Sequence, residues 1–163
     1  MRWIRHLFLD HLAQTRAFPR ATLEAIARAV ARQEKRHRGE LRVAIEGGLP
    51  LQVLVARRGA RERALELFAR LRVWDTEDNA GVLIYLLLAD RRVEIVADRG
   101  IHARVGDTAW ETICGAMQQE FAAGRFEAGT LAGLSAVSDL LAQHFPPKTG
   151  DNPNELPDAP LVL

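Results

Sequence analysis

Helix-like and strand-like apolar patterns follow one another along the first half of the chain. Between residues 20 and 38, apolar side chains recur three and four positions apart, which predicts an amphipathic helix. Residues 41–45 are mostly apolar and partly β-branched, which predicts a strand. Residues 51–56 fit either a short strand or a packed loop. From residue 60 to residue 71 the helical spacing returns, so we expect a second helix there.

The strongest strand signal lies in the middle of the chain, at Val82–Leu88. This run is apolar on both faces, which is typical of a central strand that is covered on both sides. Residues 92–98 partly alternate between apolar and polar side chains, and only a short polar turn separates the two segments. We therefore expect an antiparallel β-hairpin.

Two further helices are predicted in the second half of the chain. Asp107 and Thr108 open the first helix, and Thr108 with Glu111 three residues later has the form of a capping box. The second helix follows Gly124 and carries an apolar stripe over residues 131–141. Helices that alternate with strands predict an α/β fold: a three-layer α/β/α sandwich around a mixed sheet with a central β-hairpin.

The length and the prolines indicate how the chain is divided. A chain of 163 residues is long enough for one domain with a full hydrophobic core and short for two. We expect a basic N-terminal segment (residues 1–19), an α/β domain (residues 20–145) and a tail (residues 146–163). The tail holds five of the seven prolines and shows no apolar period, so we expect it to be disordered or draped over the domain.

Composition and charge argue against several classes of protein. The formal net charge of +1 provides no general attraction to nucleic acid or to membranes. The longest apolar run, residues 82–89, is far shorter than the roughly 20 residues of a membrane span. Residues 1–16 lack the apolar core of a secretory signal, so we expect a cytoplasmic protein without membrane insertion. A single cysteine, Cys114, excludes an internal disulfide and a multi-thiolate metal site.

The sequence contains none of the common catalytic signatures. It has no nucleotide-binding glycine loop, no His-Glu-x-x-His pair and no Gly-x-Ser-x-Gly elbow. A thiol phosphatase would need an arginine six residues after its cysteine, and that position after Cys114 is Glu120. No side chain is therefore assigned a catalytic role, and enzymatic activity stays an open question.

An acidic loop before the central strand carries the strongest indication of a ligand site. Hard cations bind where several carboxylate and carbonyl oxygens cluster. The loop is not an EF-hand, because the twelfth position counted from Asp75 is Leu86. A different oxygen site is one interpretation, and turns and helix caps formed by the same residues are the other. The loop provides Asp75, Glu77, Asp78 and Asn79, and neighbouring segments could add Asp98, Asp107 or Glu111.

Three residues beside this loop also have alternative interpretations. Gly100 indicates either a left-handed turn or a close approach between two backbone segments. Arg99 could hold an anion or pair with Asp98. Trp74 directly precedes the loop and is either a core anchor, which we expect, or a stacking wall over the loop.

The hairpin and its flanking residues resemble the TPM domain family. The resemblance runs from Asp78-Asn79-x-Gly81-Val82-Leu83 through the hairpin to Gly100-Ile101. The family includes a thylakoid lumen protein linked to photosystem II repair and bacterial relatives that are often membrane-associated. In all, the resemblance spans about residues 20–145. Further matching positions are Glu40-Leu41-Arg42-Val43, Asp107, Phe121, Gly124, Phe126 and Gly129.

The resemblance implies a Rossmann-like α/β/α sandwich and a site for calcium or another divalent cation on the acidic loops. It also implies an acid phosphatase activity that some members have. The corresponding metal ligands would be Asp75, Asp78, Asn79, Asp98 and Asp107. This chain departs from the family at Asp98-Arg99-Gly100, where members commonly have a Gly-aromatic-Gly turn.

These observations lead to one expected function and two alternatives. We expect a module that binds a divalent cation at the acidic loop and interacts with a protein partner. The first alternative is a metal-dependent phosphohydrolase, in which Asp75 and Asp78 hold the ion and Arg99 orients phosphate. The second alternative is a structural protein that docks on another protein through its basic N-terminal helix or its proline-rich tail.

Overall fold

The computed structural model describes residues 11–149 and 153–163, so most of the predicted basic segment lies outside the described residues. Four strands are present: β1 (Glu40–Glu46), β2 (Gly81–Leu87), β3 (Arg92–Ala97) and β4 (Leu161–Val162). The described α-helices are α1 (His11–Ala17), α2 (Arg20–Gln33), α3 (Leu51–Val55), α4 (Ala60–Arg70), α5 (Arg99–Val105), α6 (Asp107–Ala122) and α7 (Phe126–His144). A short 3-10 helix, Glu34–Arg36, continues α2.

The strands form one mixed sheet in the order β3-β2-β1-β4. β1 is parallel to β2 and to β4, whereas β2 and β3 form the predicted antiparallel hairpin. Every residue of β1 and of β2 is buried, which confirms that the run beginning at Val82 is a central strand. The second strand of the hairpin, β3, lies at an edge of the sheet.

Two apolar layers cover the sheet and confirm the three-layer sandwich. Successive side chains of a strand point to opposite faces, so alternate residues of β2 enter different cores. Ile84 packs in the core under α2, α6 and α7, together with Met117 and Phe121. Tyr85 packs in the core under α3 and α4, together with Leu67.

Two short helices differ from the predicted pattern. Residues 51–56 were expected to be a strand or a loop, but Leu51–Val55 is a helix that begins after Pro50. Five residues make little more than one turn, which is too short to show a helical period. The helix α5 directly after the hairpin was not predicted for the same reason. The predicted capping box at Thr108 is also wrong, because α6 begins at Asp107 after Gly106, whose φ is 78°.

The tail follows the draped alternative wherever the structure describes it. β4 pairs with β1 at Ala44 and Ile45. The side chain of Leu156 is 7% exposed and joins the core under α3 and α4. Arg42 Nη1 donates to the carbonyl oxygen of Pro157 over 2.8 Å. The disordered alternative is therefore wrong for residues 153–163.

The described part of the N-terminal segment packs against the same strands. The Nε2 atom of Gln14, on α1, donates to the carbonyl oxygens of Ile45 and Leu163 over 3.3 and 3.1 Å. The open question of an extra N-terminal helix is thus answered for residues 11–17. Among the described residues, no helix is both long enough and apolar enough to cross a membrane.

Candidate functional site

The sheet brings the acidic loop and the end of the hairpin together. Glu40 at the start of β1 pairs with Gly81 at the start of β2, and β3 ends beside them. The loop before β2 and Asp98 after β3 therefore lie at one end of the sheet, which we call the loop end. The backbone N of Asp98 donates to the carbonyl oxygen of Gly81 over 2.8 Å.

Two glycines permit the close approach of these segments. A Cβ atom at Gly100 would lie 2.5 Å from the carbonyl oxygen of Asn79 and 2.8 Å from that of Asp78. The backbone N of Gly100 instead donates to the carbonyl oxygen of Asn79 over 3.0 Å. Of the two interpretations of Gly100, the structure thus shows the close backbone approach. A Cβ atom at Gly81 would likewise overlap the carbonyl oxygen of Val73.

Asp98 is the most unusual carboxylate at the loop end. Its side chain is buried, with 8% exposed, and Oδ1 accepts a hydrogen bond from the backbone N of Arg99 over 2.7 Å. This bond caps the start of α5. The other oxygen, Oδ2, is buried and has no hydrogen-bond partner among the described residues. A buried carboxylate oxygen without a partner has lost its hydration without compensation, so a cation or an N–H group would stabilise it.

The backbones of Asp78 and Asn79 lie against Gly100, two residues after Asp98, and both residues already have partners. Asp78 Oδ1 accepts a hydrogen bond from Arg38 Nη1 over 2.5 Å, and Lys148 Nζ lies 3.9 Å away. Asn79 has a φ of 51°, and its backbone N donates to the carbonyl oxygen of Thr76 over 3.2 Å. Asn79 therefore forms a turn, and a metal ion would have to compete with Arg38 for Asp78.

The remaining two predicted ligands have exposed side chains with contacts of their own. Asp75 pairs with Arg72 at the surface. The Asp107 side chain is 82% exposed, and its Oδ1 lies 3.6 Å from Nε2 of His102. Within the described residues, no three Asp, Glu, His or Cys side chains are grouped so that they could hold a metal ion. The structure thus brings the backbone of Asp78 and Asn79 close to the segment that follows Asp98, and the cation site stays a prediction.

Trp74 does not have the role that the sequence analysis favoured. Its side chain is 48% exposed, and Nε1 donates to the carbonyl oxygen of Ala69 over 3.3 Å. The preceding residue, Val73, is fully buried and takes the core position. The core-anchor prediction is therefore wrong, and Trp74 presents an aromatic surface next to the acidic loop.

A groove of about 770 Å³ runs along the outer edge of β3, between α4 and α6. We call it the β3 groove. Leu65 on α4 and Trp110 on α6 line its apolar part. Cys114 lies in its wall, where burial raises the pKa of the thiol to about 11. This cysteine is therefore protonated at neutral pH and is a poor nucleophile. Sequence reasoning missed the groove, because it depends on the distance between two helices.

Sequence reasoning also missed a group of carboxyls beneath the tail. Burial is the main cause that raises the pKa of Glu34 to about 8 and that of Glu40 to about 7. Glu34 Oε1 accepts from the backbone N of Leu41 over 2.8 Å, and Glu40 Oε2 accepts from that of Leu156 over 3.1 Å. Asp158 adds negative charge near both carboxyls. We call Glu34, Glu40 and Asp158 the tail carboxyls.

Comparisons with known proteins agree with this architecture. The sequence model of the TPM domain matches residues 12–140. The NMR structure of the BA42 protein from the psychrophilic bacterium Bizionia argentinensis is similar to this chain, with 32% sequence identity and a TM-score of 0.74. That alignment covers 87% of this chain and 92% of BA42. No curated protein sequence matches the chain.

A second solved structure shares the fold. It is the solution NMR structure of the N-terminal domain of a protein from P. gingivalis, with 22% identity and a TM-score of 0.62. The alignment covers 79% of this chain and 81% of that domain. At this level of identity the similarity extends to the fold alone.

Proposed function

Since the chain belongs to the TPM domain family, we propose that it binds a divalent cation such as calcium at the loop end of the sheet and interacts with a protein partner there. The buried Oδ2 atom of Asp98, which has no hydrogen-bond partner among the described residues, is the observation that carries this proposal. Calcium prefers carboxylate and carbonyl oxygens. Asp98, Asp78 and Asn79 offer both kinds of oxygen at this end of the sheet.

The bound ion would tie the acidic loop to the end of the hairpin. In this proposal Asp98 supplies a fixed carboxylate, and Asp78 is released from Arg38 to join it. Because the Arg38–Asp78 ion pair is mostly buried, with side-chain exposures of 17% and 21%, breaking it opposes ion binding. We therefore expect an affinity in the range of weak calcium sites, about 10⁻⁴–10⁻³ M.

The proposed binding of a protein partner is based on the residues that surround the ion site. The exposed ring of Trp74 lies next to the acidic loop, and aromatic side chains are enriched in protein interfaces. The backbone N of Glu77 donates to the carboxylate of Glu155 in the tail over 3.2 Å. An ion at the loop end would order these neighbouring groups, so partner binding at this surface should depend on calcium.

Thermal denaturation in calcium tests the cation site. A ligand at free concentration L that binds only the folded state stabilises it by RT ln(1 + L/Kd), which is about 1.4–2.7 kcal/mol for about 10 mM calcium at the expected affinity. We expect millimolar calcium to raise the Tm of the wild type and of Asp139→Asn, a control that alters an exposed carboxylate on α7. Asp98→Asn should abolish the shift and still fold, because Asn is an equally good helix N-cap.

A second variant tests the competition between Arg38 and the ion. Arg38→Met frees Asp78 and should strengthen calcium binding, as measured by calorimetry. Arg36→Met makes the same substitution at an exposed ion pair, with Asp139, and should leave the affinity unchanged. An absent Tm shift in the wild type with either calcium or magnesium would overturn the proposal, as would an equal shift in Asp98→Asn.

The phosphohydrolase alternative gains no comparable support. One of its two proposed ligands, Asp75, pairs with Arg72. The arginine that was to orient phosphate, Arg99, has an exposed side chain and touches Asp98 through its backbone N. Nothing in the described residues or in the comparisons favours hydrolysis over cation binding.

A further inference from the structure

The outer edge of β3 displays backbone groups that a further strand could pair with. Asp98 is bonded to Gly81, and the pairing of Ala97 with Val82 fixes the register. In an antiparallel pair, hydrogen-bonded and non-bonded residues alternate. The backbone N–H and C=O groups of Val93, Ile95 and Ala97 therefore point away from β2, into the β3 groove.

Side chains of α4 and α6 contact these backbone groups of β3. The backbone N of Val93 donates to Oε1 of Gln118 over 3.1 Å. The carbonyl oxygen of Ile95 accepts from Nη1 of Arg61 over 2.6 Å, and the backbone N–H of Ile95 lies near the Cys114 thiol, whose pKa burial raises and this N–H group lowers. A thiol is a weak acceptor, and the Arg61 side chain is half exposed. The backbone of a bound peptide could therefore replace these side chains as the hydrogen-bond partner of the β3 edge.

We propose that the β3 groove binds an extended peptide, which adds to the sheet as a strand antiparallel to β3. This inference goes beyond the proposed function, because the β3 groove shares only Asp98 with the proposed cation site. Strand addition takes its affinity from main-chain hydrogen bonds and its specificity from side chains at alternate positions. Here the main-chain partners are Val93, Ile95 and Ala97.

The shape of the groove selects a peptide over a second copy of this chain. Residues of α4 and of α6 line the groove from both sides, so β3 is recessed between the two helices. The β3 strand of another copy is recessed in the same way, and paired strands must approach to about 4.8 Å. A single extended segment has no flanking helices and can enter.

Two features of the groove can accommodate apolar side chains of the peptide. Leu65 is a large apolar residue of α4 that is 46% exposed and lines the groove. On α6, a Cβ atom added at Gly115 would meet nothing within 4 Å, so the opposite wall has space. The indole Nε1 of Trp110 is buried in the same wall without a hydrogen-bond partner among the described residues. It can donate to a peptide carbonyl.

Charge fixes the orientation of the peptide. Asp98, Asp107 and Glu111 line the groove where β3 ends. Arg61 and Arg92 line it nearer the start of β3, where they share one carboxylate partner, Glu94, and leave a net positive charge. An antiparallel peptide places its N-terminal half beside the acids and its C-terminal half beside the arginines. The favoured sequence therefore begins with a basic residue, alternates apolar side chains, and ends with an acidic residue.

The test uses a blocked heptapeptide, Lys-Thr-Val-Thr-Val-Thr-Glu, which spans about 23 Å as a strand. We expect saturable binding by calorimetry, with NMR shift changes concentrated at the amides of Val93, Ile95 and Ala97. Methylating the amide nitrogen of the fourth residue, which faces Ile95, should abolish binding. Methylating the fifth, which faces away from β3, should leave the affinity within about twofold. Exchanging the terminal Lys and Glu should weaken binding.

Variants of the protein provide a second, independent test. Gly115→Leu fills the groove and should abolish binding, whereas Gly115→Ala should preserve it. Gln118→Ala removes the side chain that occupies the Val93 N–H and should tighten binding by roughly threefold to tenfold. Equal effects of the two methylations would overturn the proposal. Concentration-dependent dimerisation that Gly115→Leu abolishes would also overturn it, because a second copy would then be the occupant.

The peptide test is separate from the cation test. Binding is measured once in chelator and once in calcium, with Asp98→Asn as a further variant. If peptide binding fails while calcium still raises the Tm, only this inference is lost. If the Tm shift is absent while the peptide binds in chelator, the cation proposal fails and the peptide site stands.

Discussion

Three polar side chains are buried in the core under α3 and α4 and form hydrogen bonds with one another. Glu46, at the end of β1, accepts from Arg63 through both oxygens, over 2.7 and 3.0 Å. The hydroxyl of Tyr85 donates to the same carboxylate over 2.5 Å. Burial is the main cause that raises the pKa of Tyr85, and the bonded carboxylate raises that of Arg63. The pair is therefore charged, and the tyrosine stays neutral.

Replacing Arg63 with methionine should destabilise the fold strongly. The substitution keeps much of the side-chain length but leaves the charge of Glu46 buried without its cation, which costs roughly 3–5 kcal/mol. We expect the Tm to fall by roughly 10 °C, measured by thermal denaturation. Arg70→Met on the same helix removes an exposed pair with Glu66 and should change the Tm little. Equal losses in the two variants would contradict this account.

The attachment of the tail to the rest of the domain should depend on pH. In the folded chain the pKa is about 8 for Glu34 and about 7 for Glu40, against an ordinary value of 4.5. At pH values between the ordinary pKa and the raised pKa of these carboxyls, the folded state binds more protons than the unfolded state. The free energy of unfolding therefore falls as pH rises from about 4.5 through 8, by on the order of a few kcal/mol.

Amide hydrogen exchange at several pH values measures this effect locally. After correction for the intrinsic rate, protection of the Leu156 amide should decline as pH rises, because burial and the charge of Asp158 disfavour ionised Glu34 and Glu40 beneath the attached tail. The Leu156 amide reports on this attachment, since it donates to Glu40. The double variant Glu34→Gln/Glu40→Gln mimics the protonated carboxyls and should keep that protection at pH 8. Protection that rises with pH in the wild type would show that the tail carboxyls are ionised in the folded state.

The elements that could be predicted from sequence are those long enough to show a period. The run at Val82–Leu88 and the alternation at 92–98 gave both strands of the hairpin, because burial on two faces and on one face leave different patterns. The helices Leu51–Val55 and Arg99–Val105 are too short to show any period. The tail carboxyls could not be predicted, since the partner of Glu40 lies 116 residues away. Of the loop end, the sequence identified the residues but not the Arg38–Asp78 pair that now occupies one of them.

The two edges of the sheet are covered in different ways across the molecule. An unpaired edge strand is a template for association with other chains. The tail closes the β1 edge with β4, whose neighbour Leu163 donates its backbone N to the carbonyl oxygen of Ile45 over 2.9 Å. Within residues 11–149 and 153–163, the β3 edge is covered by side chains from α4 and α6 and by no further strand. In this part of the chain, the β3 edge is therefore the more accessible one.

Removing the tail should therefore destabilise the molecule and expose the second edge. A variant that ends at Thr149 loses the burial of Leu156, worth about 1.5–3 kcal/mol. It also exchanges the hydrogen bonds from Arg42 to the carbonyl oxygens of Pro157 and Ala159 for bonds to water, at a further cost of about 0.5–1.5 kcal/mol each.

Thermal denaturation and analytical ultracentrifugation separate these two effects. We expect a lower Tm together with concentration-dependent association, because β1 becomes an open edge strand. Full-length Leu156→Ala loses only packing, so it should show a smaller fall in Tm and remain monodisperse at the same concentrations. If the truncated variant keeps the wild-type Tm and does not associate, the tail contributes nothing to closing this edge.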